Sequence, residues 1–352
     1  MCGPCGPWGR PGRRGTTSSG RLTVTPTAPD IPETGGPAGA GRPLGFGPPP
    51  PIPPYPHETE FSVITVGTGN PQPNLERASA CTMLQFKGAY YIVDMGNGAQ
   101  NSLLRGAKGT FPFRDIAALC FTHFHQDHSN DYFDIMTNRW LTGGKEVAVV
   151  GPPGVAALHG FFTTFFKDDL CYRLLRELPR GMSGTGMFEG VTIKEITGGQ
   201  RFRLGELEVM TAKLTHTMYN LGYRFEASGK SVVVSGDTSF DERLVDLAAG
   251  ADVLVMDGDE RWGGAPEHKM APLEMLEPRY RPVGEYGGDF TVRPHATLEE
   301  IAAMAGAAGV KHLVVTHLRG GKVDEDAVRG VLRNSGYRGR VTVGVDGLEV
   351  AV

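Results

Sequence analysis

The stretch Phe121-Thr122-His123-Phe124-His125-Gln126-Asp127-His128 decides how the rest of the chain is read. It places three imidazoles and one carboxylate within six residues, in the order H-x-H-x-D-H. Asp115-Ile116-Ala117-Ala118-Leu119-Cys120 leads into it as an apolar run, the pattern of a buried strand. Ser129-Asn130-Asp131 follows, the residue types that start helices. The four polar side chains therefore belong to a tight loop between a strand and a helix. In extended backbone, His123 and His125 point the same way because side chains alternate with a period of two. Asp127 and His128 are adjacent and serve a second point nearby. The spacing predicts two metal positions, and imidazole with carboxylate suits zinc, iron or manganese.

Two metals need more than four ligands. His216 closes the alternating run that ends in Leu214-Thr215, while Asp237 follows Val232-Val233-Val234-Ser235-Gly236 and His317 follows Leu313-Val314-Val315-Thr316. Each is a polar residue at the exit of an apolar strand. Residues at the ends of strands in one sheet gather along one edge, where binding sites form.

This arrangement resembles the metallo-β-lactamase superfamily, and within it the ribonuclease Z-like branch. The resemblance also covers Gly67-Thr68-Gly69, Arg77, Asp94-Met95-Gly96-Asn97-Gly98 with Gln100, Gly236-Asp237-Thr238, and His295-Ala296-Thr297 with the segment Val310 to His317. It spans roughly residues 61 to 350. It implies an α/β fold, an αββα sandwich of two packed mixed sheets with outer helices. The repeated order of strands followed by ligands in both halves of the chain predicts the same sandwich. With two divalent ions, zinc first and manganese or iron as alternatives, one metal takes His123, His125 and His216. The other takes Asp127, His128 and His317, and Asp237 bridges them. A water shared by two such ions is acidified enough to supply hydroxide near pH 7. In the branch, the histidine matching His295 protonates the leaving group and is held by an acidic residue. By position that residue is Asp257, where relatives usually carry glutamate. Asp94 has a structural role in the family. Asp127, His295 and Asp257 are thus the catalytic candidates.

Bulk properties set further bounds. No run of 18 apolar residues exists, so no membrane span is predicted. The five cysteines are odd in number and scattered, which argues against a disulfide framework and for a reducing compartment. The N-terminus lacks a secretory apolar core, so a cytoplasmic placement is expected. Residues 1–56 hold 15 of the 26 prolines and little periodic apolar pattern, and read as a disordered Pro/Gly-rich leader. Its five arginines against Asp30 and Glu33 give it a net +3. The whole chain is −4, so the hydrolase domain over residues 57–352 sums to −7.

An acidic domain disfavours nucleic acid as a partner, because a domain that handles a large RNA shows a basic footprint. The long flexible arm of tRNA-processing relatives has no counterpart after the metal motif. Val155 to Leu178 reads instead as largely helical, with Phe161, Phe162, Phe165 and Phe166 as a stripe that belongs first to the core and also to a pocket wall. Residues 258–294 are irregular and too long for a simple connection, and are read as a lid leading to His295.

The expected function is hydrolysis of a small ester. A phosphodiester or cyclic phosphodiester is favoured because His295 supplies an acid. A carboxylic ester, lactone or thioester is the alternative that the same metal centre supports. A tRNA 3′-processing nuclease and a non-catalytic scaffold are the remaining readings. The resemblance also implies that homodimers are common.

Overall fold

In the computed structural model, the description covers residues 59–258, 273–280, 288–319 and 323–352. The leader at 1–56 and most of 258–294 lie outside the described residues, and so do the expectations attached to them.

The runs of β-branched and apolar residues form fourteen described strands in two seven-stranded sheets. The first sheet has the order β14-β1-β2-β3-β4-β5-β6, from Leu348–Ala351, Phe61–Gly67, Cys81–Phe86, Ala89–Val93, Ile116–Cys120, Val147–Gly151 and Val191–Glu195. The second has the order β13-β12-β11-β10-β9-β8-β7, from Arg340–Val343, His312–Thr316, Val253–Asp257, Lys230–Val234, Asn220–Ala227, Leu207–Leu214 and Arg201–Leu204. Both sheets are mixed. β3 to β6 pair in parallel while β14, β1, β2 and β3 pair antiparallel. The second sheet repeats this scheme, with β10 to β13 parallel and β7 to β10 antiparallel.

Alternation along the strands builds three apolar layers. Val63, Leu84, Tyr91, Val93 and Cys120 of the first sheet meet Val209, Tyr223, Val232, Val255 and Val314 of the second between the sheets. Ile64, Met83, Ile92, Leu119 and Val149 point the other way. They are covered by α1 (Ala99–Gly106), α3 (Tyr132–Leu141), α4 (Val155–Phe165) and α5 (Lys167–Glu177). Val233, Leu254, Met256, Leu313 and Val315 are covered by α6 (Glu242–Leu247), α7 (Leu298–Ala307) and α8 (Glu325–Asn334). With both faces covered, the central strands read as nearly continuous apolar runs. The αββα sandwich is the observed fold.

The stretch 155–178 is largely helical, as expected, in two helices separated at Phe166, where the backbone φ and ψ of −93° and 14° leave the helical region. One sequence expectation needs correcting. The phenylalanine stripe is not uniformly core. Phe162 is buried, whereas Phe161 and Phe165 are exposed, because neighbours one residue apart on a helix are turned about 100° from each other. Among the described residues no helix is long and apolar enough to cross a membrane.

Candidate metal centre

The site lies where the C-terminal ends of β4, β8, β10, β11 and β12 meet. β4 delivers His123 and His125, and the short helix α2 (Gln126–Ser129) then turns Asp127 and His128 inward. Two bonds lock this loop to the second sheet: Tyr223 donates its hydroxyl to the Phe121 carbonyl at 2.7 Å, and the Leu221 N–H donates to the Thr122 carbonyl at 3.0 Å. His216 follows β8, Asp237 follows β10, Asp257 ends β11 and His317 follows β12.

These side chains converge in two groups. His123 Nε2 and His216 Nε2 each approach His125 Nδ1, at 3.0 and 3.2 Å. Asp237 Oδ2 stands 3.8 Å from both Nε2 atoms. The other group joins Asp127, His128 and His317, with His317 Nε2 at 3.1 Å from Asp127 Oδ2 and 3.4 Å from Asp237 Oδ2. Asp237 therefore faces both groups, and its Oδ1 lies 3.3 Å from His128 Nε2. Ligand atoms within each group fall within 4.8 Å of one another. His128 Nε2 is buried and makes no well-aligned hydrogen bond, although Asp237 lies close by, which leaves it placed to ligate a cation. Three imidazole nitrogens aimed at one point, beside a buried carboxylate, form a donor set that fits a divalent ion of borderline softness.

Charge makes the same demand. Asp94, Asp127, Asp237 and Asp257 are all buried in one place. Burial alone would push Asp237 up, but His317 and His128 hold it well below the usual carboxylate range. Burial opposes a charge on His128, yet Asp237, Asp94 and Asp127 raise it well above an ordinary histidine, and His317 is raised by Asp237 and Asp257. Protons on these rings balance the carboxylates, a task that divalent ions take over as they displace protons from their ligands. His123 and His216 behave oppositely. Burial lowers both, His216 to about 4, so these rings are neutral and ready to ligate.

Outer contacts fix the tautomers. Asp94 accepts from His128 Nδ1 at 2.8 Å and from the Thr122 amide and hydroxyl at 2.8 and 2.7 Å. His216 Nδ1 donates to the Pro294 carbonyl at 2.8 Å. Such partners orient a ligating histidine and raise its basicity. The sequence reading gave Asp94 only a structural role; its contact with His128 makes it part of the site. Asp94 sits at φ 61°, in the left-handed region that aspartate enters more readily than most residues.

His295 and Asp257 meet as expected. His295 Nδ1 is 2.5 Å from Asp257 Oδ2, and the pair is buried. Asp257 Oδ1 also stands 3.2 Å from His317 Nδ1, so one carboxylate faces two histidines. Burial opposes ionisation of Asp257, but His295 and His317 bring it down to about 2. Asp257 in turn raises His295 above the ordinary histidine value, against burial.

Similarity to known proteins agrees with this geometry. The sequence matches the family described as Beta-lactamase superfamily domain over residues 91–318. Ribonuclease Z of Mycolicibacterium paratuberculosis is 29% identical over 298 residues, covering 81% of this chain and 96% of the relative. Ribonuclease Z of Mycobacterium sp. strain KMS is 32% identical over 266 residues, covering 73% and 84%. Human tRNase Z, short form, shares the fold with a TM-score of 0.56 at 18% identity, over 82% of this chain and 98% of that one. The metallo-beta-lactamase fold protein YhfI of Bacillus subtilis gives 0.59 at 16%, with the same coverage. The chain belongs to the metallo-β-lactamase superfamily and is a metal-dependent hydrolase. Within the superfamily it falls in the ribonuclease Z-like branch.

Proposed function

We propose that this chain is a dinuclear phosphodiester hydrolase. His123, His125 and His216 hold one divalent ion, Asp127, His128 and His317 hold the second, and Asp237 lies between them. Zinc is the first choice for a site of imidazoles and carboxylates, with manganese and iron as alternatives. When bound, the ions supply an acidified water and positive charge for the oxyanion that develops on phosphorus.

The observation that carries the phosphodiester reading is the His295–Asp257 pair at 2.5 Å, beside the His216 and His317 rings at 5.7 and 5.3 Å between centroids. Asp257 holds His295 Nδ1–H, so Nε2 is the nitrogen that gives a proton to the departing oxygen. The water oxygen, having released a proton to solvent, bonds to phosphorus, the bond to the leaving oxygen breaks, and that oxygen takes the His295 proton and leaves as the alcohol. An activated acyl ester has less need of such an acid. A cavity of about 200 Å³ beside His216, lined by Lys213, Tyr219, Arg243 and Asp289 among others, gives room for a small substrate.

A second reading takes RNA as the substrate. It is favoured by relatives named Ribonuclease Z that align over 84–96% of their own length, and it weighs against the expectation that disfavours nucleic acid. Residues 152–190, all described, form α4, α5 and connecting turns with no long arm, which favours a small substrate. A hydrolysis panel separates the readings: bis-p-nitrophenyl phosphate, an alkyl phosphodiester, a lactone, a thioester and a tRNA precursor. Alkyl phosphodiester turnover that depends on His295 supports the first reading. Cleavage of the precursor at much lower concentration supports the second, and turnover of acyl substrates alone overturns both.

A further inference from the structure

Strand β8 ends at Leu214, whose pairing with Asn220 closes the ladder to β9. Thr215 lies past that pair, so its amide and carbonyl need partners from elsewhere in the chain. Both find them in the segment that follows Asp237. Ser239 donates its N–H and Thr238 its hydroxyl to the Thr215 carbonyl, at 3.0 and 3.1 Å. The Thr215 N–H and hydroxyl donate to Asp241 Oδ2 at 2.8 and 2.9 Å. Thr215, directly before His216, is thus held at both its amide and its carbonyl by residues 238–241.

Asp241 does more than cap its own helix. It is buried, and its Oδ1 accepts the Arg243 N–H at 2.9 Å at the start of α6. That single bond satisfies the cap. Oδ2 is given over to Thr215. The Arg243 guanidinium completes the carboxylate, with Nε at 2.8 Å from Oδ1 and Nη2 at 2.6 Å from Oδ2. Nη2 also donates to the Thr215 hydroxyl at 2.9 Å. A carboxylate engaged on both oxygens keeps one orientation. The grip recurs in the other ligand loops. Asp94 accepts from the amide and hydroxyl of Thr122, the residue before His123. Asp346 accepts from the amide and hydroxyl of Thr68 at 3.0 and 2.8 Å, and the Thr68 carbonyl accepts at 2.7 Å from the N–H of Leu318, the residue after His317.

We infer that Asp241 is a positioning residue for the first metal position, that of His123, His125 and His216: through Thr215 it fixes the backbone of His216 against Asp237. The inference rests on the dinuclear reading above. A ligating nitrogen must sit within about 0.2 Å of its ideal distance. The bond from His216 Nδ1 to the Pro294 carbonyl sets the rotation of the ring. Asp241 sets the chain that carries it.

The test is titration of the metal-free full chain with cobalt(II), read by visible absorption, and with zinc against a chelator. The one-ion spectra of His317→Ala and His216→Ala mark the first and second positions. Asp241→Ser keeps a residue that caps helices but is too short to grip Thr215. Thr215→Val keeps every charge and removes only the hydroxyl, which Thr215→Ser restores. Asp324, the cap of α8, accepts from the Ala327 N–H and supplies the matched control Asp324→Ser. The expected result is a roughly 10–100-fold weaker first position in Asp241→Ser, the usual loss for an outer partner of a ligand. Thr215→Val weakens the same position by less, and the second position is unchanged in both. Thr215→Ser and Asp324→Ser bind as wild type. Should Asp241→Ser fail to fold, the contrast of Thr215→Val with Thr215→Ser decides. Wild-type affinity at both positions in Asp241→Ser and Thr215→Val overturns the inference and leaves the dinuclear reading standing. Equal losses at both positions reduce Asp241 to a general support of the fold and overturn it too. A wild type that binds fewer than two ions overturns the dinuclear reading and this inference with it.

Discussion

Asp94 receives the Nδ1 proton of His128 at 2.8 Å, from a left-handed backbone position at the end of β3. The contact leaves His128 Nε2 as the nitrogen aimed at Asp127 and Asp237. Replacing Asp94 with asparagine keeps a side chain that tolerates φ 61° but removes the negative charge. Loss of such an outer contact typically costs 10–100-fold in metal affinity. Competition with a chelator, read by metal analysis of the separated protein, is expected to show this loss at the second position only. An unchanged affinity would reduce the Asp94 contact to packing.

His295→Ala tests the acid. Its effect is expected to depend on the leaving group. For an alkyl phosphodiester, kcat falls by roughly 10²–10⁴, the usual worth of general acid catalysis. For a p-nitrophenyl ester, whose leaving oxygen is already stable as an anion, the fall is small. The slope of log kcat against leaving-group pKa steepens in the variant. Equal losses across all leaving groups would assign His295 to substrate positioning.

Backbone approach at Gly96 gives a prediction about stability. A Cβ there would overlap the Asp127 carbonyl oxygen and the Ser79 side chain. Gly96→Ala is expected to cost about 3 kcal/mol or more, in the range for overpacked interiors. It should also loosen the loop that carries Asp127 and His128. Urea unfolding with and without added zinc reads both effects, the second as a smaller stabilisation by metal than in wild type.

How much of this was legible in the sequence follows from what each residue type can do alone. Three histidines and an aspartate in six residues after an apolar strand have little packing rationale, so the motif declared its chemistry. His216, Asp237 and His317 were legible because each interrupts the end of an apolar run. The contact of Asp94 with His128 was not, because it exists only once β3 and β4 pair in parallel and bring Asp94 beside the Thr122 amide. The double reach of Asp257 to His295 and His317 likewise depends on β11 lying beside β12. Position suggested one partner; adjacency supplied two. The phenylalanines misled because 161, 162, 165 and 166 carry two helical faces with one composition, and only packing shows that Phe162 turns inward while Phe161 and Phe165 turn out.

A pH effect away from the metals separates fold from site. Burial, and then Arg340, lower His312 to about 4, and its Nε2 lies 2.8 Å from the Thr342 hydroxyl. An unfolded histidine titrates near 6.5. Between these values the unfolded chain binds the extra proton, so stability rises with pH through this window and is lost as pH falls from about 6.5 to 4. His312→Gln removes that dependence. The stability difference between wild type and variant should shrink by on the order of 2 kcal/mol from pH 7 to pH 4.5, measured by urea unfolding of metal-free protein. A constant difference would contradict the assignment.

The central claim is that two sets of side chains share Asp237 and hold two ions. Native mass spectrometry with elemental analysis tests it on wild type, His216→Ala and His317→Ala. The account predicts two divalent ions per chain in wild type. It predicts one retained ion in each variant, at the position whose three remaining ligands are intact. A wild type that binds a single ion, or none under saturating zinc, manganese or iron, would contradict it.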